Sequence, residues 1–185
     1  MSLKVLRCAV IGDGTVGKTS LLCKCCIGTV FFDYIPTIAD TYEQLVNKKG
    51  SIFKIQFLDL AGQEDYSNIR KYYYDSSINL IILVFDLTNK KSLENIITYW
   101  MPEIKKYFKN QELPILLVGS KLDLITKNPK KYTNITNSDI INVINELNCK
   151  YVECSALTGI GFDNFITNII EICGNSSNTK KKRFK

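Results

Sequence analysis

The sequence predicts a three-layer α/β domain built on a mostly parallel, six-stranded sheet with one antiparallel edge strand. Leu80–Phe85 is apolar without alternation, as expected of a central parallel strand covered on both faces. Strand-like runs alternate with helix-length segments, which argues for right-handed crossovers. One pair, Thr41–Val46 and Ile52–Asp59, is joined only by Asn47-Lys48-Lys49-Gly50 and therefore reads as an antiparallel hairpin at the sheet edge.

The remaining elements follow from local pattern. Leu3–Ile11 reads as a buried first strand, because Val5, Leu6, Ala9, Val10 and Ile11 leave little solvated face. Gly12 opens a turn, Lys18–Ile27 has helical spacing with Leu21 and Leu22 inward, and Gly28–Pro36 begins a long loop. Ala61–Asn68 is a polar loop, followed by a short helix near Ile69–Tyr74. Leu93, Ile96, Ile97, Trp100, Ile104 and Tyr107 form the inward stripe of a long helix, which Pro102 is expected to bend or deprive of a hydrogen bond. Ile115–Val118 and Tyr151–Cys154 are further strands, and Ile140, Ile141, Ile144 and Leu147 mark a helix between them. Phe162, Phe165, Ile166, Ile169, Ile170 and Cys173 mark a final helix, with Gly174 placed to end it. The domain is thus expected over residues 1–174, with 175–185 a flexible polybasic tail rich in Asn, Ser, Thr and Lys.

A chain of 185 residues with 45% hydrophobic and 23% charged residues fits one globular domain with a sizeable core. Seven cysteines without metal-ligand or disulfide spacing read as reduced thiols of a cytosolic protein. Cys23, Cys25 and Cys26 are read as part of an ordinary helix, since the chain has no histidine. No stretch has the length and apolarity of a membrane-spanning helix, and Met1–Cys8 is too short for a signal peptide. The net charge of +6 is uneven, with Lys180, Lys181, Lys182, Arg183 and Lys185 crowded together.

Gly12-Asp13-Gly14-Thr15-Val16-Gly17-Lys18-Thr19 matches the P-loop pattern and lies between a predicted strand and a predicted helix, so the architecture is read as the P-loop NTPase fold. Its glycines let the backbone approach phosphates, and the first helical turn adds partial positive charge. Lys18 is expected to bridge the β- and γ-phosphates and Thr19 to coordinate magnesium. A P-loop does not choose between ATP and GTP.

Four further motifs, Pro36-Thr37, Asp59-Leu60-Ala61-Gly62-Gln63-Glu64, Ser120-Lys121-Leu122-Asp123 and Cys154-Ser155-Ala156-Leu157, follow in order, and with them the chain resembles the Ras superfamily of small GTPases from Lys4 to about Cys173. The resemblance implies bound GTP or GDP with Mg2+. It implies that Thr37 binds the metal and senses the γ-phosphate, that Asp59 holds a metal-bound water, that the Gly62 amide meets the γ-phosphate, and that both loops relax after hydrolysis. Gln63 corresponds to the residue that orients the attacking water, and Lys18, Thr37 and Gly62 complete the implied catalytic set. No arginine finger is evident in cis, so an activating partner is expected to raise a slow intrinsic rate by about 10³- to 10⁵-fold. Asp123 can accept two hydrogen bonds from guanine that adenine cannot offer. Lys121 corresponds to the base-stacking lysine, and the Ala156 backbone to a donor for the guanine carbonyl. Gly14, Thr15, Val16, Gly17, Ser20, Val30, Tyr34, Pro36, Ser120, Leu124, Ser155 and Leu157 fill the rest of the implied nucleotide shell.

Within the superfamily, Tyr34-Ile35-Pro36-Thr37, Ala61–Tyr66, Gly119–Leu124 and Glu153–Thr158 look most like the Rho and Rac group, implying effectors that organise actin, an exchange factor, an activating protein and a dissociation inhibitor. Thr126–Thr136 is too short to hold that group's extra helical insertion. Val30 stands where the family has a phenylalanine against the guanine, Phe31 being placed to compensate, Ala39 where an effector-facing phenylalanine is usual, and Leu58 where Rac and Rho proteins have a tryptophan. The basic run is either a solvated terminus or a docking segment for the anionic cytoplasmic face of the plasma membrane. Rho-like chains continue into a prenylated cysteine; either a lipid site lies beyond Lys185, the favoured expectation, or this protein lacks that anchor. Nucleic-acid binding is not expected, and a monomer is. The competing readings are a P-loop small-molecule kinase, against which stands the lack of an Arg-rich lid, and a nucleotide-locked scaffold without turnover, against which stands Gln63.

Overall fold

A computed structural model describes residues 3–30, 37–48, 50–108, 111–132 and 134–182, excluding the side chains of residues 64 and 175–182. Six strands, β1 (Leu3–Ile11), β2 (Ala39–Lys48), β3 (Ser51–Leu60), β4 (Leu80–Asp86), β5 (Ile115–Ser120) and β6 (Lys150–Glu153), form one sheet in the order β2-β3-β1-β4-β5-β6. β2 runs antiparallel to β3 and every other neighbouring pair is parallel, as the sequence predicts. The hairpin strands extend beyond their expected limits, because pairing continues from Ala39↔Leu60 to Lys48↔Ser51.

Helices cover both faces of the sheet. On one, α1 (Lys18–Ile27) and α7 (Phe162–Lys182) bring Leu21, Leu22, Phe165, Ile169 and Cys173 against Cys8, Val10, Ile55, Phe57, Ile82, Val84 and Val118. On the other, α3 (Lys90–Asn95), α4 (Met101–Tyr107) and α6 (Asn137–Leu147) bring Leu93, Ile104, Ile140 and Val143 against Ala9, Ile11, Leu58, Ile81, Leu83, Phe85 and Leu117. Every residue of β4 is buried, which is why its sequence shows no alternation. β1 departs from the fully buried strand expected: Leu3 and Val5 are exposed, and burial begins at Leu6.

The long helix around Pro102 is divided. Ile96–Trp100 is a π-helical turn between α3 and α4, and the Met101 N–H reaches back five residues to the Ile96 carbonyl. Pro102 has no N–H to give Thr98 and its ring would press on that carbonyl, so widening the helix just ahead of it relieves both problems. The short helix after β3 begins earlier than expected, with a 3₁₀ turn at Glu64–Tyr66 and α2 at Ser67–Arg70. Another short helix, α5 (Leu122–Lys127), follows β5, where the sequence pattern marked no element. The last helix does not stop at Gly174: it continues to Lys182, so the boundary between residues 174 and 175 is not a break in secondary structure. All seven cysteines are free. Among the described residues no helix is long and apolar enough to cross a membrane.

Two local features yield stability predictions. Gly161, with φ 91°, passes so close to β6 that an added Cβ would lie 2.0 Å from the Glu153 carbonyl oxygen. Gly161→Ala is expected to lower stability by about 1–3 kcal/mol, read as a reduced urea midpoint; an unchanged midpoint contradicts this packing. At the start of α6, Asp139 accepts from the Thr136 N–H and hydroxyl, at 2.8 Å each, and from Lys90 Nζ at 3.0 Å. The Thr136 backbone donor first, then its hydroxyl and Lys90, hold the carboxyl down from 3.8 to about 2. Because the folded pKa is the lower one, this stabilisation is present above the unfolded value and is lost as pH falls from about 4 to about 2. Asp139→Asn should therefore flatten acid unfolding in that window, and an identical acid limb would rule the contribution out.

Candidate functional site

The P-loop leaves β1 at Gly12 and enters α1 at Lys18, at the carboxyl edge of the parallel strands, where open α/β sheets bind ligands. Thr15 and Gly17 are left-handed, with φ 63° and 95°, and they curl the chain. α1 begins without a side-chain cap and with no acidic residue in its first turn, so the amides that include Ser20 form an electropositive end. The Val16 side chain is buried in the core; toward the loop it offers only backbone. Lys18 is buried, and its Nζ donates to the carbonyls of Gly12 at 2.9 Å and Asp13 at 2.8 Å. Burial lowers its pKa from 10.5 to about 8, against the opposing pull of Asp59 and Asp13. This desolvated cation at a helix N-terminus is a setting made for anionic oxygen.

Beside it, three chain segments meet through oxygen. Thr19 Oγ1 donates to Asp59 Oδ2 at 2.6 Å and lies 3.0 Å from Thr37 Oγ1. Asp59 is fully buried near the end of β3, level with Val10 of β1. The Ala61 N–H donates to the Ile38 carbonyl at 3.1 Å, tying the Thr37 segment to the same strand end. Asp59 Oδ1 is a buried atom without a hydrogen-bond partner among the described residues, and burial raises the carboxyl's pKa. An orphaned carboxylate oxygen beside two hydroxyls is a hard donor set that fits Mg2+ and fits nothing apolar.

Farther along the edge, Asp123 Oδ1 accepts from Ser155 Oγ at 2.7 Å, and Ser155 Oγ accepts from the Thr158 N–H at 3.1 Å. This orients the Asp123 carboxylate without saturating it, since each oxygen can accept more than one bond. Lys121 adopts φ 61° and pairs with Asp86 at 2.7 Å, its stem passing beside Gly17. Ser120 Oγ bonds the carbonyls of Val16 at 2.5 Å and Phe85 at 2.9 Å, which locks this loop to the P-loop. Leu124 lies on α5, while Ala156 and the exposed Leu157 follow Ser155 in the turn before α7. Val30 is half-buried. Phe31, Tyr34 and Pro36 lie outside the described residues.

The loop after β3 packs directly on the P-loop. A Cβ on Gly62 would sit 2.4 Å from the Asp13 carbonyl carbon, so only glycine permits this approach. Gln63 is exposed, and its Cγ lies 3.8 Å from where a Gly14 Cβ would stand. Three participants escaped sequence reasoning as site residues. Arg70, fully buried, donates to the carbonyls of Ala61 at 2.9 Å and Gln63 at 2.7 Å and pairs with Glu103 through two bonds. The Asp13 carboxylate accepts from Asn95 Nδ2 and Trp100 Nε1, each at 2.7 Å. Trp100, the sole tryptophan, was recognisable only as a member of the inward stripe.

Residues 7–175 match the sequence model of the Ras family, a span reaching from within β1 to well inside α7 and taking in every polar group just described, and the chain therefore belongs to the Ras family.

Proposed function

We propose that this chain is a Rho-like small GTPase that passes between GDP- and GTP-bound forms, hydrolyses GTP to GDP and phosphate, and signals to effectors, with the actin cytoskeleton as the process under control. The observation that carries the reading is the meeting of Thr19, Thr37 and the unpartnered Asp59 Oδ1 beside Lys18. It joins the P-loop helix, the loop before β2 and the end of β3 by polar groups that need a charged ligand between them.

In this reading Lys18 and the amides of Gly14 through Ser20 bind the phosphates, with Thr37 and Gly62 facing the terminal one. Thr19 and Thr37, with Asp59 through a water, would hold magnesium, which would supply charge neutralisation at the phosphates. Gln63 orients the attacking water; its neutral amide positions and does not act as a strong base. Losing the terminal phosphate removes the group that anchors both Thr37 and Gly62, so the two loops relax. Neither described arginine is placed to stabilise the reaction: Arg70 is committed to Glu103 and two carbonyls, and Arg7 to the Asp75 side. Intrinsic hydrolysis is accordingly slow, and a partner arginine accelerates it. Asp123 reads the guanine edge, Lys121 flanks the base, and the Ala156 backbone bonds its carbonyl.

The Rho-like assignment comes with departures. The described residues of 128–136 form turns, in keeping with a short connection in place of an inserted helix. Ala39 packs partly on the core and Leu58 is buried, so the partner surface shifts toward exposed Asp40 and half-buried Tyr42 and Tyr66. The basic run Lys180–Arg183 supports reversible docking on anionic membrane, each cation contributing about 1 kcal/mol near the surface.

GDP, GTP and ATP affinity and single-turnover hydrolysis on one magnesium-loaded sample test the reading. GTP and GDP are expected to bind far more tightly than ATP, and Asp123→Ala should weaken GDP by at least about 10²-fold while leaving ATP unchanged. ATP binding tighter than GTP overturns the assignment. Val30→Phe should slow release of fluorescent GDP by about 3- to 10-fold by restoring a ring edge over the base; an unchanged rate removes Val30 from the account.

A further inference from the structure

We propose that Asn95 and Trp100, through the Asp13 carboxylate, are positioning residues for hydrolysis: they brace the P-loop against the Gly62 segment and thereby set where Gln63 stands. The inference rests on the GTPase reading of the site. Asp13 faces two ways. Its backbone carbonyl accepts from Lys18 and meets the Gly62 backbone, while its carboxylate oxygens are taken separately, Oδ2 by Asn95 and Oδ1 by Trp100. Rotation of the Asp13 peptide is therefore resisted from the helical side.

The same indole governs the other half of the contact. The Arg70 guanidinium lies 4.8 Å from the Trp100 ring centroid, and its Nη1 bonds the carbonyls on both sides of Gly62. Its remaining edge is held by Glu103 on α4, in an ion pair in which both side chains are almost wholly buried. Tyr99 Oη accepts from Arg70 Nη2 at 3.2 Å, and Tyr74 donates to Glu103 at 2.7 Å. One ring thus contacts the P-loop through its N–H and the Gln63 loop through the cation on its face.

The π-helical turn makes this arrangement available. In an α-helix, residues five apart point about 140° away from each other. A π turn bonds residues five apart and places them nearly above one another, so Asn95 and Trp100 deliver their donors to a single carboxylate. The turn that relieves Pro102 also builds the two-donor clamp.

The test uses Trp100→Phe, which keeps a ring for Arg70 but deletes the donor, and Asn95→Ala, a half-buried site where folding is less at risk. Each should reduce single-turnover hydrolysis of preloaded Mg-GTP by about 10-fold. The double variant should fall by less than the product of the two, and GDP and GTP dissociation constants should stay within about twofold of wild type. Hydrogen exchange at Ala61–Tyr66 in the GDP form should quicken while β4 and β5 stay protected. Wild-type hydrolysis in both variants overturns the proposal, as does loss of nucleotide affinity equal to the loss of rate, which would mark a purely structural role. If the unmodified protein neither binds nor hydrolyses GTP, the functional reading fails by itself. Exchange in the nucleotide-free protein then decides the brace, with unaltered Ala61–Tyr66 protection in both variants refuting it.

Discussion

Burying charge at one edge of a parallel sheet is the constraint on which the structure turns. Lys18, Asp59, Arg70, Asp86, Ser92, Ser120, Asp123 and Ser155 are the buried polar residues among those described, and they lie at or near the carboxyl ends of the strands. Below that rim the two core clusters are predominantly apolar among the described residues. Each rim residue must find a bond in a dry setting, and that demand pulls loops separated in sequence onto one another. Lys18 grips the P-loop carbonyls, Ser120 ties that loop to β5, and Ser155 ties Asp123 to the turn before α7. Asp59 keeps one oxygen in reserve, the clearest sign that the rim is built around a ligand.

The rim divides into two regions with different mechanical character. On the Asp123 side, the bonded groups lie just after two consecutive parallel strands, β5 and β6, which are joined from Leu116↔Lys150 to Gly119↔Glu153. On the Thr37 side, the joining groups are two hydroxyls, a half-satisfied carboxylate and the Arg70 fork. Those contacts are polar and leave one carboxylate oxygen unmatched among the described residues.

The buried Arg70–Glu103 pair fits that division. An ion pair of this kind adds little net stability once desolvation is counted, yet removing one partner is costly because it strands the other charge. Here its effect is directional: the guanidinium has its remaining donors aimed at backbone carbonyls of a loop with few apolar anchors. Val30, Ala39 and Leu58, the departures from the Rho-like pattern, all lie outside this polar framework. In the proposed reading they change the cover over the base and the surface offered to partners, and leave the phosphate-facing groups intact.

Sequence alone determined the sheet, its antiparallel edge strand, the P-loop and the order of the five motifs, because periodicity, short connections and glycine spacing act locally along the chain. Lys18 and Thr19 stood out as candidates through the P-loop spacing, and Asp59, Gln63 and Asp123 through motifs that resemble those of the Ras superfamily. Only the tertiary structure decided that Asn95 and Trp100 share one carboxylate of Asp13 and that Arg70 faces inward onto the Gly62 segment. Those contacts join residues far apart in the chain through a π turn, a departure from helical period that residue pattern does not announce. The early start of α2 and the run of α7 past Gly174 escaped for a related reason: a helix's limits are set by what its end meets as well as by the residue that could stop it.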